Sequence, residues 1–192
     1  EYRYASKAIP LITAENIPVI DLYDVIRANR KAQNLYYRTD THWNMAGASI
    51  GFEEIYRKMR AALPDGKIKD MSHLQPYRLE NIPSTFGDLI SIGGFYNATL
   101  KDDDNFALKY KTDLPIIWKV SGREETGPVS KGKAVNGVGV DNPIEMHNPN
   151  ATNKLKLVVI GDSFFTALSP FFNSSFSDIV YIAHTIPLKD QE

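Results

Sequence analysis

The chain has 192 residues, 43% of them hydrophobic, with 22 basic and 23 acidic side chains and a formal net charge of −1. That is one domain's length of sequence with ample material for a core, which at this size buries about 70% of the unfolded surface. Balanced charge without a Lys/Arg run excludes an electrostatic footprint for nucleic acid, and the lack of cysteine excludes disulfides, cysteine-based zinc sites and thiol catalysis.

No apolar run is long enough to cross a membrane, and the first residues do not read as a signal peptide. The abrupt start at Glu1-Tyr2-Arg3 and an end soon after a strand suggest a trimmed or mature fragment. Ile17 to Leu22 reads as a first strand, followed by a helix from Asp24 to Ala32. Leu35-Tyr36-Tyr37 is a short extended piece that leads into Arg38-Thr39-Asp40-Thr41-His42-Trp43-Asn44. From Met45 to Leu63 the apolar residues Ala46, Ile50, Ile55, Met59 and Ala62 share a helical stripe, with Asn44 as N-cap and Pro64-Asp65-Gly66 as stop. Residues 66 to 150 are irregular and read as an insertion within one domain spanning 1–192. Ser84 to Ile90 contains a helical turn, and Phe106 to Tyr110 and Ile116 to Val120 read as strands. Gly122 to Asn153 reads as loops around one or two short strands. Lys101 to Asn105 is a polar loop without the spacing of a calcium site.

The last quarter carries the strongest local signal. Leu155 and Leu157 to Ile160 form a β-branched run, read as a parallel strand buried on both faces. Gly161-Asp162-Ser163 breaks it, and Phe164, Phe165, Ala167 and Leu168 then follow at helical spacing, with Pro170 limiting the helix. Asp178 to Ala183 is a further parallel strand, which completes a short βαβ unit. Ser163 thus sits on a strand-to-helix turn at the carboxyl end of a strand, where ligands bind in open α/β sheets and free backbone N–H groups can hold an oxyanion. Asp162-Ser163 equally fits an ordinary helix N-cap.

A serine nucleophile needs a base. Of the histidines His42, His73, His147 and His184, His42 has the most suggestive context: Asp40 lies at i−2, and Asp40 and His42 in extended backbone point to one side. An isolated D-x-H is more often a turn cap beside a surface histidine. His184 follows the strand after the serine and is the rival base, while His73 and His147 lie in polar loops without a carboxylate pattern. A metal site from Asp40, His42 and Asp162 would need Asp162 to turn inward, and no metal or cofactor is expected.

Tyr-Tyr-Arg-Thr-Asp40-Thr-His42-Trp43-Asn, then Gly87-Asp88-Leu89, then Val-Ile-Gly-Asp162-Ser163-Phe-Phe resembles the SGNH-hydrolase-like alginate O-acetylation family (AlgX/AlgJ) and the related DHHW proteins. The resemblance spans about Ile17 to Ala183. It implies a three-layer α/β fold with a mostly parallel sheet and a circularly permuted motif order, the Asp/His block preceding the serine. It implies Ser163 as nucleophile, His42 as base and Asp40 as orienting acid. The implied activity is transfer of acetyl groups to exopolysaccharide hydroxyls through an acetyl-serine, with hydrolysis of model acetyl esters. A carbohydrate acetylesterase, or a non-catalytic polysaccharide-binding or assembly subunit, would use the same scaffold. The implied setting is extracytoplasmic, periplasmic or cell-surface, with a polysaccharide acceptor and acetyl groups supplied by a membrane-bound O-acyltransferase. No side-chain oxyanion donor matches the family; Asn97, Gly94 and Arg38 are candidates, and Asp162, Trp43 and His184 are further candidates for contact with substrate.

Overall fold

The computed structural model describes residues 5–64, 66–83, 87–94, 105–131 and 143–183. In chain order these form α1 (Ala5–Ala14), α2 (Tyr23–Asn29), α3 (Met45–Ala62), a 3-10 turn (Met71–His73), β1 (Tyr77–Asn81), α4 (Asp88–Ile92), β2 (Phe106–Tyr110), β3 (Pro115–Val120), β4 (Arg123–Pro128), β5 (Ile144–His147), β6 (Asn153–Gly161), α5 (Phe165–Ser175) and β7 (Phe176–Ala183). No helix among the described residues is long and apolar enough to cross a membrane.

The core forms where α3 and α5 pack on one face of a five-stranded sheet ordered β4-β3-β5-β7-β6. Aromatic rings fill the contact. Phe52 of α3 stacks on Phe171 at 5.3 Å and meets Phe172 edge-on at 5.2 Å, and Phe165 stacks on Tyr181 of β7 at 5.2 Å. Pairs of this kind contribute about 0.5–1.5 kcal/mol each beyond area burial. A separate antiparallel pair, β1 and β2, brings Tyr77 and Tyr110 against the α5 side of this core.

The α/β class holds, but the sheet is not mostly parallel. Only β6 and β7 pair in parallel; β3–β4, β3–β5 and β5–β7 are antiparallel. The physical reason lies in the connections. β6 and β7 are joined through α5, the crossover that a parallel pair requires, whereas β3 and β4 are joined by a two-residue turn. In that turn Ser121 and Gly122 both have positive φ, 48° and 76°, which matches the right-handed twist of a tight hairpin. The described residues cover one face of the sheet only. β6 is an edge strand whose Val158 and Ile160 are 57% and 64% exposed, so the β-branched run is not buried on both faces.

Two other expectations are corrected. Ile17 to Leu22 forms no strand; it is an irregular connection between α1 and α2. Helix α1 itself has no counterpart in the sequence reading. Pro170 does not stop α5, which continues to Ser175. A proline here withholds the N–H that would bond the Thr166 carbonyl, and the Ser169 hydroxyl donates to that carbonyl instead, at 2.9 Å.

Helix α3 starts where expected. The fully buried Asn44 accepts from the N–H groups of Ala46 and Gly47, both at 3.0 Å, while its amide donates to the Asn34 carbonyl at 2.9 Å. One side chain therefore caps the helix and ties it to the preceding loop. Asn44→Ala removes all of these bonds at a buried position. It is expected to destabilise the fold by about 1–3 kcal/mol in urea unfolding, above the cost of an exposed cap.

Candidate active site

Tyr36 and Trp43 form an isolated antiparallel bridge, and the chain between them makes a tight loop. Within it Asp40 closes a turn on its own backbone: Oδ1 accepts from the His42 N–H at 2.9 Å and from the His42 ring Nδ1 at 2.5 Å. The pair is thus joined by an Asx-type turn, and not by the side-sharing of an extended strand. The ring's other nitrogen, Nε2, lies 2.6 Å from the Ser163 Oγ, 121 residues later in the chain. With Nδ1 donating to the carboxylate, Nε2 is the acceptor for the serine proton, the tautomer that a general base requires. The His42 and Asp40 side chains are 26% and 23% exposed, so the site opens to solvent.

Residues 3–99, just over half of the chain, match the family described as SGNH hydrolase-like domain, acetyltransferase AlgX. The chain belongs to this AlgX acetyltransferase family. The matched segment holds Asp40, His42 and Asp88, and Ser163 lies beyond it. Among solved structures the fold is similar to PatB1 of Bacillus cereus, with a TM-score of 0.62 and 19% identity over 95% of this chain and 66% of that one. It is also similar to a DHHW family protein from Eubacterium siraeum, with a TM-score of 0.56 and 19% identity over 85% of this chain and 55% of that one. The O-acetyltransferase domain of Pseudomonas putida AlgJ aligns at a TM-score of 0.48 and 15% identity, over 93% of this chain and 52% of that one. The chain therefore spans 66% or less of the length of these structures. Comparison with curated proteins gives no match.

The AlgX-family chain holds its Asp/His loop in place from a second element. Gly87 and Asp88, at the start of α4, form a reciprocal clamp. The Asp88 carboxylate accepts from the Thr41 N–H at 2.8 Å and the Thr41 hydroxyl at 2.6 Å, while the Asp88 N–H donates to Asp40 Oδ2 at 3.2 Å. The Gly87 N–H donates to the Thr39 hydroxyl at 3.0 Å, and the Leu89 N–H to the Thr39 carbonyl at 3.0 Å. A Cβ on Gly87 would lie 2.3 Å from that carbonyl oxygen and 2.5 Å from Asp40 Cβ, so only glycine fits. Asp88 also stands 3.9 Å from His42 Nδ1. The Gly-Asp pair stood out in the sequence, but its partner loop lies 47 residues away and no local pattern points to it.

The serine turn is fixed just as firmly. Asp162 Oδ1 accepts from the Phe164 N–H at 3.0 Å; the Phe165 N–H donates to the Asp162 carbonyl and the Thr166 N–H to the Ser163 carbonyl. These bonds use most of the donors expected to form an oxyanion hole. Among the described residues, no partner is seen for the Ser163 N–H. Beneath the turn the buried Tyr181 hydroxyl lies 2.8 Å from the Gly161 carbonyl and 2.7 Å from the Asp162 carbonyl. Burial, with the Asp162 charge adding to it, pushes this phenol up to about 12, so it remains a donor at neutral pH. The sequence placed Tyr181 on a strand but did not single it out.

Trp43 links the two blocks. Its indole N–H donates to the Phe164 carbonyl at 2.9 Å and its ring meets Phe164 edge-on at 5.7 Å, while the Phe164 ring also lies 4.8 Å from His42. It is 7% exposed and packs with the core. Arg38 is exposed within the loop, and Gly94 is an exposed, left-handed residue after α4. Asn97 and His184 lie outside the described residues. His147, expected in a loop without a carboxylate, ends β5 opposite Asp178 of β7, and its Nδ1 lies 2.8 Å from that carboxylate. Ser177 donates to the far oxygen of Asp178 and not to the ring, so this is a structural pair.

Asp40, His42 and Asp88 offer ligand-type atoms within 4.8 Å of one another. Their carboxylates already accept from Thr41, His42 and the Asp88 N–H, which accounts for the cluster. Asp162 is not part of it.

Partial burial raises the Asp40 pKa, but hydrogen bonds from the His42 backbone, the His42 ring and the Asp88 N–H outweigh this and leave it below the usual carboxylate range. A depressed carboxylate stabilises the fold above its unfolded pKa of about 3.9 and loses that contribution as pH falls through the folded value. Urea unfolding of wild type and Asp40→Asn should therefore differ at neutral pH and converge in acid. Asp88→Ala leaves the reacting groups intact but releases the loop that aims them. It is expected to lower kcat on a chromogenic acetyl ester about ten- to a hundred-fold with KM little changed.

Proposed function

We propose that the chain transfers acetyl groups to hydroxyls of an extracytoplasmic polysaccharide through an acetyl-Ser163 intermediate. The observation that carries the reading is the hydrogen-bonded series Asp40–His42–Ser163, with 2.5 Å and 2.6 Å links. Membership of an acetyltransferase family supports the reaction class.

In this reading Ser163 Oγ bonds to the carbonyl carbon of an acetyl donor as its proton passes to His42 Nε2. Asp40 and Asp88 stabilise the imidazolium that forms. The Ser163 N–H faces the developing oxyanion from the start of α5, where the helix dipole adds to it. Collapse expels the leaving group, which takes the proton from His42, and acetyl-Ser163 remains. A sugar hydroxyl then gives its proton to His42 Nε2 and attacks the acetyl carbon; Ser163 Oγ departs and recovers the proton. Water in place of the sugar gives acetate. We assign the setting to the periplasm or cell surface and the acetyl supply to a membrane-bound O-acyltransferase, both on family grounds.

The test is incubation with a chromogenic acetyl ester, with and without an oligosaccharide. Expected are a +42 Da adduct on Ser163 in mass spectrometry, acetylated sugar with acceptor present, and loss of several powers of ten in kcat for Ser163→Ala and His42→Ala. Acetate as the sole product with every acceptor would favour an esterase. Inertness of the folded protein would leave a binding subunit.

A further inference from the structure

The serine turn presents two successive carbonyls to one phenol. Parallel pairing sets Tyr181 of β7 opposite Val159 of β6. From there its fully buried ring, stacked on Phe165 at 5.2 Å, reaches forward past the end of β6. The hydroxyl lies 2.8 Å from the Gly161 carbonyl and 2.7 Å from the Asp162 carbonyl, so its one proton is shared between two consecutive peptide units. The Phe165 N–H donates to the same Asp162 carbonyl at 3.1 Å.

The second of these units bears on the chemistry. Its carbonyl belongs to Asp162 and its N–H to Ser163. In a trans peptide these two groups point in opposite directions, and none of the described peptide bonds is cis. With the carbonyl drawn inward to a buried hydroxyl, the N–H is turned to the side of the turn away from the phenol. The N–H groups of Phe164, Phe165 and Thr166 are bonded within the turn, whereas no partner for the Ser163 N–H is seen among the described residues. An oxyanion on acylated Ser163 thus has one backbone donor at this turn. The direction of that donor is set by the carbonyl at the other edge of the same plane. A modest rotation of the plane takes the N–H out of line, and hydrogen bonds weaken steeply once the donor angle falls below about 120°.

We propose that Tyr181 is a positioning residue for acyl transfer: its hydroxyl braces the Asp162–Ser163 peptide plane and keeps the Ser163 N–H aimed at the oxyanion. The role rests on the acyl-transfer reading and acts through the backbone, without contact between the phenol and substrate. Burial, with the Asp162 charge adding to it, keeps the phenol protonated through neutral pH, so the brace is a donor whenever the site works.

The experiment compares wild type, Tyr181→Phe and Tyr110→Phe on a chromogenic acetyl ester and on its thionoester, in which sulfur replaces the carbonyl oxygen. Tyr110→Phe is the control. It removes another buried phenol, one that bonds the Pro170 carbonyl and Ser174 in the second half of α5, and it should leave kcat on both esters unchanged. Tyr181→Phe should lower kcat on the oxygen ester about ten- to a hundred-fold with KM unchanged, short of the loss of a whole oxyanion donor. On the thionoester the loss should be less than about three-fold, because sulfur is a weak acceptor and gains little from the N–H in either protein. A disturbed His42–Ser163 pair would instead slow both esters alike. Rates are taken below the melting transition of each variant, and Tyr181→Met replaces Tyr181→Phe if the latter does not fold. Wild-type kcat in Tyr181→Phe, an equal loss in Tyr110→Phe, or equal losses on the two esters would overturn the proposal and leave the acyl-transfer reading standing. A folded wild type inert toward both esters would refute the two together.

Discussion

The Asp40 carboxylate is the hub on which the site depends. It accepts from the His42 N–H, from the His42 ring and from the Asp88 N–H, so both of its oxygens are committed. Burial works against its charge, and these donors more than compensate. The result is a charged acceptor with no freedom to rotate. His42 inherits that rigidity, because the same oxygen holds its backbone and its ring. The imidazole is fixed in tautomer and direction before any substrate arrives, which is the condition for a base to act without reorganisation.

Rigidity within the loop would be of no use if the serine could drift. Two buried aromatic contacts prevent that. Trp43 couples the residue after His42 to the residue after Ser163 through its indole N–H, and Tyr181 holds the serine turn from the adjacent strand. Gly51 of α3 lies under the Trp43 ring, where an added Cβ would come within 3.1 Å of it. Core packing of α3 thus reaches the serine turn through Trp43.

What the sequence revealed depended on whether the cause was local. Asn44 and the Gly161-Asp162-Ser163 break act within a few residues and lie where expected, whereas α3 turns Ala48, Phe52 and Tyr56 into the core and leaves Ala62 of the expected stripe exposed. Asp40 and His42 were paired from spacing alone, though an Asx-type turn and not an extended strand joins them. The Gly87–Asp88 clamp escaped because its meaning is set by a loop 47 residues earlier. The parallel pairing of β6 with β7 lies as expected, while strand direction in the rest of the sheet escaped for a related reason: a short apolar run specifies a strand, whereas its connections specify how it pairs. Pro170 misled because the breaking rule assumes an orphaned carbonyl, and Ser169 supplies the missing donor.

The exposure of the Asp–His pair bears on the choice between transfer and hydrolysis. A site about a quarter open cannot exclude water, so an acyl-enzyme there would be consumed by whichever nucleophile is better held. A sugar hydroxyl gains over water only if the rest of its chain is anchored, which turns a bimolecular encounter into an intramolecular one. Such anchoring has to lie outside the triad, because Asp40, His42 and Asp88 are already engaged with one another and with Thr41.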